Sequence, residues 1–440
     1  MKDLTSGNIY KNFILFAIPM VLSGMLSQAY ATIDTVIAGK FIGDTALAAI
    51  GATSPLISFI SSMFWGFGTG FSIYIARLFG AQDYKKIKSV LLSGLLTVAC
   101  IIIGISALCI IFKDTIFSFL KIDSQTAEAA ADYFICYMTG FVLIMGNSYG
   151  VFLMNAFGIG TFPFIMSVLS AVLNVSGNIF SVVVLDMGVL GLALSSVVAA
   201  GVVVTCYFFK LRQIFKEMGV SGERASFDRN GLWASTHYAL PNMLQQMTMY
   251  AAGIVISPMI NNMGKDATAA YTVAHRVYEI NASVYQNSSK TVSNYTSQAC
   301  GAGKYHLLKK GAKVGVIQAL LFALPFISAC ALFPETIAGL FFDGDASPKS
   351  IEYAVLFLSR FLPLIIINVF ANFFHAFFRG LGEKSPLIIS TFFGSLARIL
   401  VSLLLISKMG MTGMYIGWVA SWVADAVAGL LFYLFKKNIT

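Results

Sequence analysis

The loop Gly80-Ala81-Gln82-Asp83-Tyr84-Lys85-Lys86-Ile87-Lys88 returns 221 residues later as Gly301-Ala302-Gly303-Lys304-Tyr305-His306-Leu307-Leu308-Lys309, each copy standing between two long apolar stretches. At the same shift, Gly43-Asp44-Thr45-Ala46-Leu47-Ala48-Ala49 meets Gly264-Lys265-Asp266-Ala267-Thr268-Ala269-Ala270. At a shift of 222, Gly188-Val189-Leu190-Gly191-Leu192 meets Gly410-Met411-Thr412-Gly413-Met414. Three echoes so nearly in register mark a duplicated unit, so the two halves must share one fold. In a membrane chain, duplicated halves are the architecture of transporters that work where the halves meet.

The membrane reading rests on composition. Charged residues make up 11% of the chain and the mean hydropathy is +0.80, against roughly 25% charged in a soluble domain. A span needs about 20 mostly apolar residues. Twelve such stretches can be placed, near 12–38, 50–77, 90–112, 129–154, 162–185, 188–209, 232–260, 268–298, 312–333, 351–377, 386–407 and 411–435. Without water to satisfy the backbone these must be helices. The expected fold is therefore all-α and integral to the membrane, with twelve transmembrane helices in two pseudo-symmetric six-helix lobes. The lobes are 1–209 and 232–440, joined by a polar linker at 210–231. Six spans per half is an even number, so the repeat is parallel. Nineteen basic residues fall on one side of this topology and six on the other, which places both termini in the cytoplasm. Topology thus absorbs much of the net charge of +9, and no nucleic-acid partner is needed to explain it. The first apolar stretch is too long for a cleaved signal peptide. The six cysteines form no C-x-x-C pair and read as packing residues.

Gly66-Phe67-Gly68-Thr69-Gly70 has no preceding strand and lies at membrane depth, so it reads as close helix packing rather than a nucleotide loop. No nucleophile, metal-ligand or phosphate-binding motif supports an enzyme. The sharpest signal is Asp34, in Tyr30-Ala31-Thr32-Ile33-Asp34-Thr35, because a charge at the bilayer centre costs roughly 2.5–3.5 kcal/mol on insertion scales. It lies near the outer end of the first helix, where it either reaches the headgroups or caps a helix turn, or faces a cavity and holds a proton or a cation. Asn174 and Asn178 are spaced i, i+4 and share one helix face. With Ser195 and Ser196 they offer neutral oxygens that suit a hard cation such as sodium, or else hydrogen bonds between helices. The eighth stretch carries two polar stripes, one through Glu279, Gln286, Lys290, Ser293 and Ser297 and one through Arg276, Ser283, Asn287, Thr291, Asn294 and Gln298. Such a surface lines water or is buried against partners. Arg276 with Glu279, and Arg398 with Asp425, are the expected ion pairs.

Ile18-Pro19, Tyr30, Ile33-Asp34-Thr35, the Gly43–Ala49 stretch, Leu78-Phe79-Gly80-Ala81 and the Gly188–Ser196 run together resemble the multidrug and toxic compound extrusion (MATE) family over essentially the whole chain. The resemblance implies two six-helix lobes forming a V, with substrate expelled against an inward sodium or proton gradient. It also makes Asp34 the coupling aspartate, Asn174 a member of the N-lobe cation site and Ser196 the counterpart of a threonine ligand. Asn178 stands where an aspartate is common, and Ser293-Asn294 replaces a frequent Gln-Pro.

The expected cation-coupling set is Asp34, Asn174, Asn178 and Ser196, with sodium, if used, at Asp34, Asn174 and Asn178. The expected substrate cavity is Tyr30, Glu279, Gln286, Lys290 and Asn294. The function expected is a secondary active antiporter, a monomer in the plasma (inner) membrane. It would export amphipathic, cationic organic compounds in exchange for protons or sodium, with no cofactor and no enzymatic step. The alternative is a flippase for a lipid-linked saccharide precursor, which the basic residues Arg276, Lys290, Arg360 and Arg398 favour.

Overall fold

A computed structural model describes residues 2–435 apart from Lys121, Asp123 and residues 343–345, and leaves aside the side chains at 31, 32, 35, 36, 44–47, 124 and 125. Lys121, Lys436 and Lys437, which enter the basic-residue count, lie outside the described residues. All regular structure among them is helical. The first half runs α1 (Ile9–Ile37), α2 (Asp44–Gly80), α3 (Tyr84–Ile111), α4 (Lys113–Leu120), α5 (Ser124–Thr139), α6 (Phe141–Ala156), α7 (Thr161–Ile179) and α8 (Gly188–Glu217). The second runs α9 (Arg229–Asn261), α10 (Lys265–Gly301), α11 (Leu308–Leu332), α12 (Pro334–Gly339), α13 (Pro348–Leu356), α14 (Ile365–Leu381), α15 (Ser385–Met409) and α16 (Met411–Phe435).

The repeat is visible in backbone torsions. Gly43 and Gly264, at the starts of the 37-residue helices α2 and α10, have φ of 100° and 94°. Gly188 and Gly410, which open α8 and precede α16, have 55° and 56°. In the repeated loop, Gln82 and Gly303 have 59° and 68°. Glycine reaches this region freely, whereas a side chain there is held by its surroundings. The two halves thus share their positive-φ turns at three equivalent points.

Among the described residues, nine helices are long and apolar enough to cross a membrane, or ten when α5 and α6, bent by 51° about Gly140, are taken together. The stretches expected as spans at 232–260 and 268–298 are the long helices α9 and α10, which are more polar than the others. In α10 the reason is plain. The second polar stripe is buried, with Ser283, Thr291, Asn294 and Gln298 at most 8% exposed. Much of that polarity turns back on its own helix: Ser283 donates to Ile280 O, Asn287 to Ser283 O and Asn294 to Lys290 O.

The chain forms two compact units, Met1–Lys2 with Leu22–Ala239, and Asp3–Val21 with Leu240–Thr440. The division differs from the expected lobe boundaries. It falls inside α1 and α9, close to Pro19 and Pro241. Residues 3–21 belong to the second unit because Leu4 N donates to Gln298 Oε1 at 2.9 Å, Lys304 pairs with Asp3 at 3.5 Å, and Phe13 meets Tyr295 edge-on at 5.0 Å. In the first unit the Gly-x-Gly-x-Gly run serves packing. A Cβ on Gly70 would lie 2.2 Å from Tyr238 O, and one on Gly68 would lie 2.7 Å from the Phe152 ring.

The segment expected as a polar linker is tied down. α8 continues to Glu217, and Lys88 Nζ donates to the carbonyls of Val220, Ser221 and Glu223 at 2.8, 3.0 and 2.6 Å. Lys85 pairs with Glu223 at 2.7 Å. Replacing Lys88 by Met removes a charged donor worth about 1.5–3 kcal/mol per bond at most. The 218–228 segment of the variant is expected to be cleaved severalfold faster by a soluble protease, and an unchanged rate would remove Lys88 from this role. The parallel repeat gives a second expectation. Cysteines placed at Lys86 and Lys309 in a cysteine-free background should react with an impermeant maleimide from one and the same side. Labelling from opposite sides would break the topology.

Candidate cation-binding site

In the first unit α7 and α8 approach closely because small residues face each other. A Cβ on Gly177 would sit 3.0 Å from Ser195, and one on Gly191 would sit 2.7 Å from Ser181 Oγ. The Ser181 and Ser195 hydroxyls lie 3.1 Å apart, and Ser195 Oγ donates to Gly191 O. α1 is joined to α7 through the Ser23 and Ser167 hydroxyls. A turn of π-helix follows each of the two key positions, Ala38–Ile42 after Asp34 and Phe180–Val184 after Asn178. Such turns widen a helix and turn side chains out of the regular register.

These helices bring together all four residues expected from sequence. Asn178 Nδ2 donates to Asp34 Oδ1 at 2.6 Å and to Asn174 Oδ1 at 3.3 Å. Asn174 Nδ2 donates to Ser196 Oγ at 2.9 Å, and Ser196 Oγ donates to Leu192 O at 3.1 Å. Both amide hydrogens of Asn178 are therefore committed, while its Oδ1 is buried without a partner among the described residues. An orphaned acceptor in a fully buried side chain costs about 1–3 kcal/mol. A cation, or a hydroxyl proton, placed beside Asp34 would relieve it. The cluster thus has one carboxylate and a set of neutral oxygens with one open valence.

Two residues of this site escape sequence reasoning. Asp34 acts electrostatically on Tyr30, which the sequence placed in the substrate cavity, and also on Tyr133 and Tyr137 of α5. The rings of Tyr133 and Tyr137 stack at 5.8 Å and 26°, and all three tyrosines are only partly buried. Their i, i+4 spacing is the available signal, and it looks like ordinary core packing. The other four expected cavity residues lie along α10 in the second unit. Glu279 is half-exposed and 3.8 Å from His275. Gln286 is partly buried, Lys290 donates to Asn287 Oδ1 at 2.7 Å, and Asn294 is buried.

The second unit holds a polar chain of its own. Arg379 donates through Nε to Asn242 Oδ1 and through Nη2 to Gln245 Oε1 at 3.0 Å. A guanidinium only donates, so the Gln245 amide is oriented: its Nε2 faces His375 Nδ1 at 2.9 Å and Thr391 Oγ1 at 3.1 Å. His375 Nδ1 therefore accepts, and Nε2 carries the proton toward Asp425 Oδ1 at 2.9 Å and Ser390 Oγ at 2.9 Å. This corrects the expected Arg398–Asp425 pair. Asp425 pairs with His375, while Arg398 lies 5.0 Å over the Trp418 ring and donates to Tyr271 at 3.4 Å.

A duplicated set of apolar helices with a part-buried carboxylate in α1 is the architecture of multi-pass membrane transport proteins. The chain belongs to the MatE family, whose sequence profile matches residues 19–180 and 241–404, one match in each half. Among curated relatives, the probable multidrug resistance protein YoeA of Bacillus subtilis (strain 168) is 23% identical over 98% of this chain and 96% of its own. The FAD transporter of Shewanella oneidensis is 26% identical over 100% and 94%. The multidrug export protein MepA of Staphylococcus aureus (strain MRSA252) is 23% identical over 98% and 95%. The fold agrees with that of a MATE crystal structure in complex with MaL6, at a TM-score of 0.91, 21% identity and coverage of 99% and 98%. It agrees equally with an outward-facing multidrug resistance MATE family transporter of the MOP superfamily, at 0.90 and 21% with the same coverage.

Proposed function

We propose that this chain is a secondary active antiporter that exports amphipathic organic cations across the plasma membrane, in exchange for a cation taken up at Asp34. The observation that carries the reading is the convergence of Asp34, Asn174, Asn178 and Ser196 around one open acceptor, Asn178 Oδ1. Tyr30, Tyr133 and Tyr137 supply the faces on which an organic cation is held by cation–π attraction while it competes for the Asp34 charge. Competition between the two cations for one carboxylate is the coupling. The excess of basic residues on one side supports cytoplasmic termini, and the efflux proteins among the relatives support the outward direction.

One carboxylate with neutral oxygens neutralises either a proton or one sodium ion. The proton needs no coordination geometry, so it is the coupling ion we favour. Asn178→Asp adds a hard, charged ligand at the open position and is expected to make efflux sodium-dependent. The measurement is efflux from proteoliposomes against sodium concentration at fixed pH, under separate sodium and proton gradients. A wild type that is already strongly sodium-dependent, or a variant whose sodium curve is unchanged, would refute this account of the site.

A second reading draws on the second unit, where Arg276, Lys290, Arg360 and Arg398 outnumber Glu279 and Asp425 at membrane depth. Basic excess favours an anionic substrate, either a lipid-linked saccharide precursor or a compound of the kind the Shewanella relative carries. Competition of organic cations and organic anions against one labelled substrate separates the two readings.

A further inference from the structure

A groove of about 540 Å³ runs along the second unit between α11, α14 and α16. Its two ends differ. α11 begins at Leu308, whereas α14 and α16 end at Leu381 and Phe435, so the first turns of α11 lie level with the last turns of the other two. Lys309 and Lys313 line the groove there, spaced i, i+4 on one helix face, and both are exposed. Deeper in, the lining is apolar, including Val316, Ile367, Phe370 and Val427.

Neither lysine has an ion pair or hydrogen bond among the described residues. Both sit where positive charge is least welcome, in the first turns of a helix whose own first turn has no acid. The repeat sharpens the contrast. In the first half the positions equivalent to Lys309 and Lys313 are Lys88 and Leu92, and Lys88 is fully used by three linker carbonyls. The second half keeps two uncommitted cations at the mouth of an apolar channel.

We propose that this groove holds an anionic phospholipid of the surrounding leaflet, its phosphate on Lys309 and Lys313 and an acyl chain along the apolar floor. Anionic lipids concentrate on the side of the bilayer where basic residues gather, and basic pockets between spanning helices hold their headgroups. The exposed faces of Val427 (50%) and Leu430 (44%) meet acyl chains in any case. Only the headgroup end selects.

The test is native mass spectrometry of the detergent-purified full chain titrated with phosphatidylglycerol or with phosphatidylcholine of the same acyl chains. Phosphatidylglycerol is expected to remain bound at concentrations on the order of tenfold lower, from two lysines near the surface. Lys309→Gln and Lys313→Gln should each reduce the preference, whereas Lys310→Gln, with the same charge change outside the groove, should keep it. Val427→Trp, which fills the channel and leaves both lysines, should weaken phosphatidylglycerol binding severalfold. Equal retention of the two lipids overturns the proposal, as does a Lys310→Gln loss equal to that of Lys309→Gln. Unchanged binding in Val427→Trp removes the acyl-chain half of it.

Discussion

Proteoliposomes carrying Asp34→Asn are expected to show no gradient-driven efflux, a loss of at least about tenfold, while the protein inserts and folds as before. The substitution keeps shape and removes charge. Asn178 Nδ2 still finds an oxygen to donate to, so the hydrogen bond falls from the charge-assisted range of about 1.5–3 kcal/mol to the neutral range of about 0.5–1.5 kcal/mol. That change is too small to unfold the chain. What disappears is the group for which the coupling cation and the organic cation compete. Substrate exchange without an imposed gradient should therefore survive, because the tyrosine faces beside the site remain. The decisive pair of measurements is gradient-driven uptake and gradient-free counterflow on the same vesicles. Efflux at the wild-type rate would exclude Asp34 as the coupling acid, and loss of both activities would show that substrate binding or the fold, and not coupling alone, depends on its charge.

Asp34 and the Asn174–Asn178 pair were legible in the sequence because burial makes an isolated acid conspicuous and because i, i+4 spacing fixes a face whatever the neighbours do. The repeat was legible at three glycine-led motifs, and the torsions at Gly43, Gly188, Gly264 and Gly410 explain why those motifs persist while the helices between them diverge. Other features were hidden for physical reasons. Apolar residues flank Pro19 on both sides in α1, and nothing in hydropathy marks the point near it where the chain passes from one unit to the other. Tyr133 and Tyr137 use a spacing that core aromatics also use. Arg398 and Asp425 share a depth, which is all a sequence reports. Their azimuths differ, so one faces Trp418 and the other His375. The partner that orients His375 comes from Gln245, 130 residues away, and no local pattern announces it.

Arg379→Met is expected to cost about 2–4 kcal/mol of stability, read as a clearly lower melting temperature in detergent. Two acceptors, Asn242 Oδ1 and Gln245 Oε1, lose their donor in residues that are each 3% exposed, at about 1–3 kcal/mol apiece before relaxation. Relaxation is partial because Gln245 is bound at its other end to His375 and Thr391. Arg379 also fixes the direction of the whole chain. Without it the Gln245 amide is free to turn, His375 loses the partner that keeps Nδ1 unprotonated, and the hydrogen bond to Asp425 is no longer dictated. The effects of Arg379→Met and Asp425→Asn should therefore not add. Once either end of the chain is removed, the other has less order left to lose, and the double variant should melt close to the worse single one. Arg379→Lys should recover only part of the loss, since one ammonium cannot reproduce the fork that reaches both Asn242 and Gln245. An unchanged melting temperature in Arg379→Met, or strict additivity with Asp425→Asn, would show that these four side chains are neighbours and not a connected relay.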